Sequence, residues 1–483
     1  MNVNDYKYRI ELHAHTSPCS GCSSVKAARM PHVQKENGVD AVVITNHLSD
    51  GRSEGFASSK EYAEYYLTDY REAKKVGDEI GVNVILGSEV YFEGEFDQLV
   101  YGISEDDIEK LAEYAKGTYA DFYKDFKSDD NVIVQAHPFR PGVKRMPIDL
   151  QDGIEVFNLH PGHNSGVGVA AKYAKQNDLP IITCGSDFHD EPHQAMALLR
   201  TKTLPKDSFE LAKILQSRDY LFEISGNIVV PYCFYEKDEV EAIENKYGYR
   251  IEMHAHSNPV SKCAKVSPKE LVDLYKTEGY DAVVLTNHFN YTYRLRERYE
   301  DDKAAAEYYL SDYRAAKEYG ESVGVKVLLG MELGLPYDYL IYGIDESFVD
   351  KAVPYVNAEY EQFYGDLKDD KNLMIYAHPY RYKEVYKGEY KLNGDVVDGV
   401  EAFNMDPDEN SRVGLAARYA KRSNCGIVTC GSDMHVDYCC GMVALRTKSL
   451  PEDSFELADI LKSRDYVIEI GGNMIFPYGY CCK

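Results

Sequence analysis

The feature that most constrains this fold is a repeat. KYRIELHAH (Lys7–His15) returns as GYRIEMHAH (Gly248–His256), and DAVVITNH (Asp40–His47) as DAVVLTNH (Asp281–His288). VILGSE, QAHPFR, GIEVFN and TCGSDFH return as VLLGME, YAHPYR, GVEAFN and TCGSDMH, in the same order. The step is 241 residues from His13 to His254 and 246 from His189 to His435. Only a few residues of loop therefore separate the copies. A period this long is no solenoid but a duplicated domain, and 483 residues suffice for two full cores. GNIVVPYCFYEK and GNMIFPYGYCCK close equivalent units. The spacing thus predicts domains over 1–235 and 248–483, joined by a charged helical linker over 236–247.

Within a copy, short apolar runs rich in β-branched residues alternate with helical patterns. Strands are predicted near 8–12, 41–45, 83–86, 132–135, 154–157 and 181–184, with two more near 197–201 and 221–224. Helices are predicted near 25–37, 61–80, 104–114, 167–177 and 208–217. Gly38, Gly81 and Gly117 stand where helices end. The alternation predicts an α/β barrel-like domain with a largely parallel sheet. An open doubly wound sheet is the alternative, but no Gly-rich phosphate loop follows the first strand.

Six of the predicted strands share one property: each ends in a residue able to bind a metal. His13 and His15, at i and i+2 of an extended run, point to one side. His47, Glu89, His137, Asn158 and the pair Asp187 and His189 close later strands. In a parallel barrel that end carries the chemistry. The second copy repeats the set as His254, His256, His288, Glu332, His378, Asn404, Asp433 and His435. A lone histidine at a strand end is most often a satisfied polar residue; five with two carboxylates, twice in register, point to metal. Imidazole with carboxylate suits Zn²⁺, Mn²⁺ or Fe²⁺ better than Ca²⁺. The donors exceed one tetrahedral ion, so two or three divalent ions per domain are expected. Clustered ions lower the pKa of a bridging water and clamp both oxygens of a phosphoryl displacement.

Arg140 and Arg381, after the HP dipeptide in each copy, are placed either to hold a phosphate bidentately or to form a rim salt bridge. Arg200 and Arg446 read as structural. His160 and His163 have no histidine counterparts in the second copy, so they can tune only the first. A net charge of −26 disfavours long nucleic acids. Absence of a long apolar span or signal-peptide core predicts a cytoplasmic protein with no membrane contact. Eleven cysteines without a CxxC pair of pairs predict neither a disulfide framework nor structural zinc.

The set HxH, TNH, GxE, AHP, FN and GSDxH resembles the PHP (polymerase and histidinol phosphatase) superfamily, over nearly all of both halves. The resemblance implies two tandem distorted (β/α)7 TIM-like barrels, each with a metal cluster at the C-terminal face of its strands. It implies that His13, His15, Glu89 and Asp187 surround one ion, that Glu89 bridges to a second ion on His137, and that His47 and His189 serve a third. The same roles fall to His254, His256, Glu332 and Asp433, then His378, then His288 and His435. Three positions depart from the family pattern. No aspartate or histidine follows HxH; Cys22 and Cys263 align there across copies, as thiolate ligands or structural thiols. Asn158 and Asn404 stand where histidine or cysteine is usual. TNH replaces TDH, altering a partner able to orient His47 and His288.

The expected function is a metal-dependent hydrolase acting on phosphoric esters, a histidinol-phosphatase-like monoesterase on a small phosphorylated molecule. His15, His47 or His189, and in the second copy His256, His288 or His435, are the candidate proton relays. A phosphodiesterase or exonuclease on short oligonucleotides or nucleotides is one alternative, and a non-catalytic metal-binding regulatory module another. The two domains are expected to pack as an intrachain pseudo-dimer.

Overall fold

The computed structural model describes residues 1–94, 96–289, 301–335, 337–356, 358–381 and 396–479; the Cys481–Cys482 pair lies outside them. The chain divides into two compact units, Met1–Val240 and a second beginning at Glu241. The helix Lys237–Lys246 spans the division. Both units are mixed α/β.

The first unit has twelve strands: β1 Tyr8–Ala14, β2 Ala41–Ile44, β3 His47–Leu48, β4 Asn83–Leu86, β5 Ser88–Phe92, β6 Phe96–Tyr101, β7 Val132–Gln135, β8 Gly153–Asn158, β9 Ile181–Gly185, β10 Ala197–Thr201, β11 Leu221–Ile224 and β12 Asn227–Val230. They form two sheets, in the orders β12-β11-β10-β1-β2-β4 and β3-β5-β6-β7-β8-β9. Strands β1, β2 and β4 run parallel, as do β7, β8 and β9. The expectation of a largely parallel sheet needs correction at β6 and at β10–β12, which pair antiparallel. Tight turns, with Gly94 and Gly226 at positive φ, fold β6 back on β5 and β12 back on β11 as hairpins.

Two strands change sheet at a single point. Gly87 separates β4 from β5, and a Cβ there would sit 2.7 Å from Val43 Cγ1. Thr45 and Asn46 separate β2 from β3 in the same way. Just past β9, Phe188 pairs with β1: it donates its N–H to His13 O, and His15 donates to Phe188 O, both at 2.9 Å. Ends of both sheets therefore meet around His13–His15.

The long helix Ser59–Ile80 begins at Ser58, whose hydroxyl accepts from Glu61 N, and ends at left-handed Gly81. It buries Tyr62, Ala63, Tyr66 and Leu67 against Leu86, Val90 and Val100. The first helix is shorter than predicted, Met30–Glu36. Val25 and Lys26 instead pair with Ser17, which pins the loop carrying Cys19 and Cys22 beside β1. Gly38 is left-handed, but Gly117 is not among the positive-φ glycines.

The second unit repeats this order: β13 Tyr249–Ala255, β14 Ala282–Leu285, β15 His288–Phe289, β16 Lys326–Leu329, β17 Met331–Gly334, β18 Asp338–Tyr342, β19 Leu373–Tyr376, β20 Gly399–Asn404, β21 Ile427–Gly431, β22 Val443–Thr447, β23 Val467–Ile470 and β24 Asn473–Phe476. Its sheets run β16-β14-β13-β22-β23-β24 and β15-β17-β18-β19-β20-β21. Among the described residues no helix is long and apolar enough to cross a membrane.

Candidate metal centre

Strand periodicity delivers the candidate ligands. His13 and His15 leave β1 on one side, His47 opens β3, and Glu89 lies directly beside it in β5. His137 follows β7; Asp187 and His189 follow β9. Glu89 sits among four imidazoles. Its Oε2 lies 2.7 Å from His47 Nδ1, 3.4 Å from His15 Nε2 and 3.6 Å from His13 Nε2. Its Oε1 lies 3.1 Å from His137 Nε2. Asp187 Oδ1 is 3.5 Å from His13 Nε2, 3.4 Å from His15 Nε2 and 3.3 Å from His189 Nδ1. In the second unit Glu332 and Asp433 hold the same places. Glu332 contacts His288 Nδ1 at 2.6 Å, His256 Nε2 at 3.3 Å, His254 Nε2 at 3.5 Å and His378 Nε2 at 3.2 Å. Asp433 Oδ1 lies 3.2 Å from His256 Nε2 and 3.4 Å from both His254 Nε2 and His435 Nδ1.

These donors fit a divalent ion. His13 Nε2 and His15 Nε2 are buried with no hydrogen-bond partner, and so are His254 Nε2 and His256 Nε2. Orphaned buried polar atoms are costly, of order 1–3 kcal/mol each, and call for a partner. Zinc with bonds of about 2.0–2.1 Å holds tetrahedral donors roughly 3.3–3.4 Å apart. The nitrogen-to-oxygen separations around His13 and His15 are 3.4–3.6 Å.

The electrostatics divide neighbouring rings. Burial disfavours a charged His13, but the Glu155, Asp187 and Glu89 carboxylates overcome it and push its pKa well above the usual value. For His15 burial and the His189 and His47 charges act together and drive it well below. Burial opposes ionisation of Glu89, yet His47 and His13 hold its carboxyl well below the usual range. Asp187 is likewise held low, by His13 above all, against its burial. The backbone is strained here: His137 and Asp187 have φ of 28° and 48°, and His378 and Asp433 27° and 51°. Such conformations cost about 1–3 kcal/mol each and cluster at functional sites.

Residues 252–471 match the PHP domain family. This segment is a PHP domain. Similar solved structures include a two-domain protein containing a predicted PHP-like metal-dependent phosphoesterase from Bacteroides vulgatus, 14% identical over 46% of this chain and 67% of its own, with a TM-score of 0.32. A second is a putative metal-dependent phosphoesterase from Bifidobacterium adolescentis, 18% identical over 37% of this chain and 87% of its own, TM-score 0.23. A third is an amidohydrolase from Chromobacterium violaceum with bound sulfate, 15% identical over 38% and 87%, TM-score 0.25. No curated protein matches the chain.

In the PHP domain, as in the first unit, the ligand-type residues rest on partners that no sequence motif announced. Glu401 Oε1 lies 2.9 Å from His254 Nδ1, and its Oε2 accepts from His378 N and Asn404 Nδ2. Glu155 does the same for His13, His137 and Asn158. A carboxylate on Nδ1 keeps the proton there and leaves the Nε2 lone pair facing the centre. The GIEVFN and GVEAFN match contained this glutamate, but a residue mid-strand gives no sign of what it faces. Asn158 and Asn404 bond to these glutamates through their amide nitrogens.

Asp97 and Asp338 were also missed, because β6 and β18 were not anticipated. Burial, then the Glu89 charge, pushes Asp97 up to about 6. An aspartate two residues before LVYG and LIYG in both copies was the available signal. Asn46, of TNH, does not touch the His47 ring. Adjacent strand side chains point apart, and Asn46 accepts from Thr16 N at 2.7 Å and Ser20 Oγ at 3.0 Å. Ser20 in turn lies 3.3 Å from His15 Nδ1.

The two units differ at the rim. Arg140 is exposed, whereas Arg381 hydrogen-bonds to Asp433, with Asn404 Oδ1 at 3.2 Å and Asp406 Oδ2 at 3.4 Å. The offset of 246 pairs His160 with Asp406 and His163 with Glu409. His163 Nε2 lies 3.5 Å from Asp187 Oδ2, so in the first unit an imidazole fills the place beside the aspartate. Arg200 bonds Glu223 and Tyr6 O, and Arg446 bonds Glu469 and Tyr247 O.

Proposed function

We propose that both units are metal-dependent phosphoesterases of the PHP type, each a distorted seven-stranded barrel, hydrolysing a small phosphorylated molecule as a monoesterase. The observation that carries this reading is the convergence, twice, of five imidazoles and two carboxylates, with the Nε2 atoms of His13 and His15, and of His254 and His256, buried without partners at the middle. Divalent ions held there, two or three of Zn, Mn or Fe, would acidify a water and neutralise charge on the phosphoryl oxygens.

The chain's own groups do the rest. His13, His15, Glu89 and Asp187 hold the innermost position, Glu89 reaches across to His137, and His47 and His189 close the outer one. His254, His256, Glu332, Asp433, His378, His288 and His435 do so in the second unit. His47 and His189 keep 22% and 12% of their side chains exposed, while His15 keeps none. The outer position is thus the one a substrate phosphate can reach. Arg140, exposed beside His137, is free to take a phosphate oxygen; Arg381 must first leave Asp433.

Metal content and turnover test this together. Full-length protein, with His13→Ala and His254→Ala variants, is assayed by elemental analysis and on phosphomonoester and phosphodiester panels. Monoester hydrolysis that falls with metal content supports the proposal. Diester-only turnover replaces it with the nuclease reading, and unchanged metal content in both variants removes its foundation.

A further inference from the structure

The loop after β1 carries Cys22 between two serines that close on the candidate histidines: Ser20 Oγ accepts from His47 N at 2.9 Å, and Ser24 donates its N–H to His189 O at 3.0 Å. The second unit repeats this around Cys263: Ser261 Oγ accepts from His288 N at 2.9 Å, and Lys265 donates its N–H to His435 O at 2.7 Å. Each cysteine stands nine residues after the first histidine of its HxH pair, so the same loop meets the same two histidines twice in step. Packing does not explain them. Cys19, three residues earlier, is buried against Leu48, Tyr62 and Val90, whereas Cys22 is exposed and Cys263 partly so.

Two further observations point to a ligand at this spot. His15 Nε2 is fully buried with no hydrogen-bond partner, and the ligand atoms of His15, His47 and His189 lie within 4.8 Å of one another. His256, with its own orphaned Nε2, groups with His288 and His435 in the same way. In the second unit His435 Nδ1 is committed to Asp433 O at 2.8 Å and His288 Nδ1 to Glu332. Their remaining nitrogens, both Nε2, face each other at 3.3 Å. That is roughly the spacing two imidazoles take on one tetrahedral zinc with bonds of about 2.05 Å.

We propose that Cys22 with His47 and His189, and Cys263 with His288 and His435, form a sulfur-containing metal site at the mouth of each cluster, with the thiolate as a ligand. The inference rests on the cluster being a metal centre and adds a chemical division within it. The inner positions offer only nitrogen and oxygen, which can hold Mn²⁺ or Fe²⁺ as well as Zn²⁺. The outer position offers a soft thiolate, which selects Zn²⁺. It also leaves one ligand per unit open to oxidation.

Cobalt(II) tests it. Reduced, metal-stripped full-length protein is reloaded with cobalt and its absorption recorded. A near-ultraviolet sulfur-to-cobalt charge-transfer band is expected. Cys22→Ser and Cys263→Ser should each remove about half of it and the double variant all of it, with the visible cobalt bands from the inner sites kept. In the same chain, bound zinc should slow iodoacetamide labelling of Cys22 and Cys263 at least tenfold, a readout that needs no variant. Cobalt binding without the charge-transfer band, a band that survives in the double variant, or labelling that zinc does not slow would overturn the thiolate ligand while leaving the metal centre standing. A chain that binds no cobalt at all would remove both.

Discussion

Glu155 is the residue whose replacement reports most directly on how the cluster is held. It is buried and accepts three hydrogen bonds, from His13 Nδ1 at 2.9 Å, His137 N at 3.1 Å and Asn158 Nδ2 at 2.8 Å. Glu155→Gln keeps the shape but offers one acceptor in place of two. If the amide nitrogen faces His13, two donors oppose each other unless the ring moves its proton to Nε2, which removes the lone pair a metal needs. If the amide is turned round, the nitrogen faces His137 N–H and the Asn158 amide, and a buried donor goes unsatisfied at about 1–3 kcal/mol. Either way the innermost site should lose roughly 10–100-fold in metal affinity, about 1.4–2.7 kcal/mol. A chelator-competition titration of the full chain with Zn²⁺ measures it, and Glu401→Gln is the mirror experiment in the second unit. Affinity within about twofold of the parent, in a variant with unchanged near-ultraviolet circular dichroism, would refute the role given to this carboxylate.

Other outcomes follow from the same geometry. Gly185→Ala places a Cβ 2.5 Å from His13 Cβ and 2.6 Å from Glu155 Oε1; it should destabilise the first unit by about 1–3 kcal/mol and lower its metal content, read by calorimetry and elemental analysis. Glu223 is paired with Arg9 at 2.9 Å and Arg200 at 2.6 Å, and against its burial these arginines, Arg9 first, hold its carboxyl below the usual range. A lowered folded-state value means stability that is present above the unfolded value near 4.3 and lost as pH falls below it. Glu223→Gln should therefore lower Tm by on the order of 5 °C at pH 7, and the gap from the parent should close on acidification; a gap independent of pH would refute the pairing as its source. Chelation should destabilise the protein, by about 2.7 kcal/mol relative to protein at a free metal concentration of 100 Kd, and a melting temperature indifferent to both chelator and metal would contradict a cluster built around ions.

Much of the candidate site was legible in the chain because its ligand-type residues sit at strand ends. A strand end has a local signature: an apolar β-branched run stops and a polar residue follows, as in VVITNH, VILGSE and VIVQAH. The duplication then separated signal from accident, since His13, His15, His47, Glu89, His137, Asp187 and His189 return in order. Helix ends were legible for the same local reason; Gly81 and Gly324, both left-handed, stop the two long helices.

What the tertiary structure alone decided are pairings between residues distant in sequence. Glu155 meets His13 across 142 positions, and Glu11 meets Ser186 across 175; no local pattern encodes either contact. The antiparallel β6, which brings Asp97 beside Glu89 and His137, depends on a hairpin whose register is fixed by its neighbours in the sheet. The motif HPFR or HPYR predicts one arginine per copy, but whether it faces solvent, as Arg140 does, or closes on Asp433, as Arg381 does, depends on what stands opposite: His163 in the first unit, Asp406 in the second. Side-chain direction at such a rim follows the local field and the space left by its neighbours, and those exist only once the sheets have brought them together.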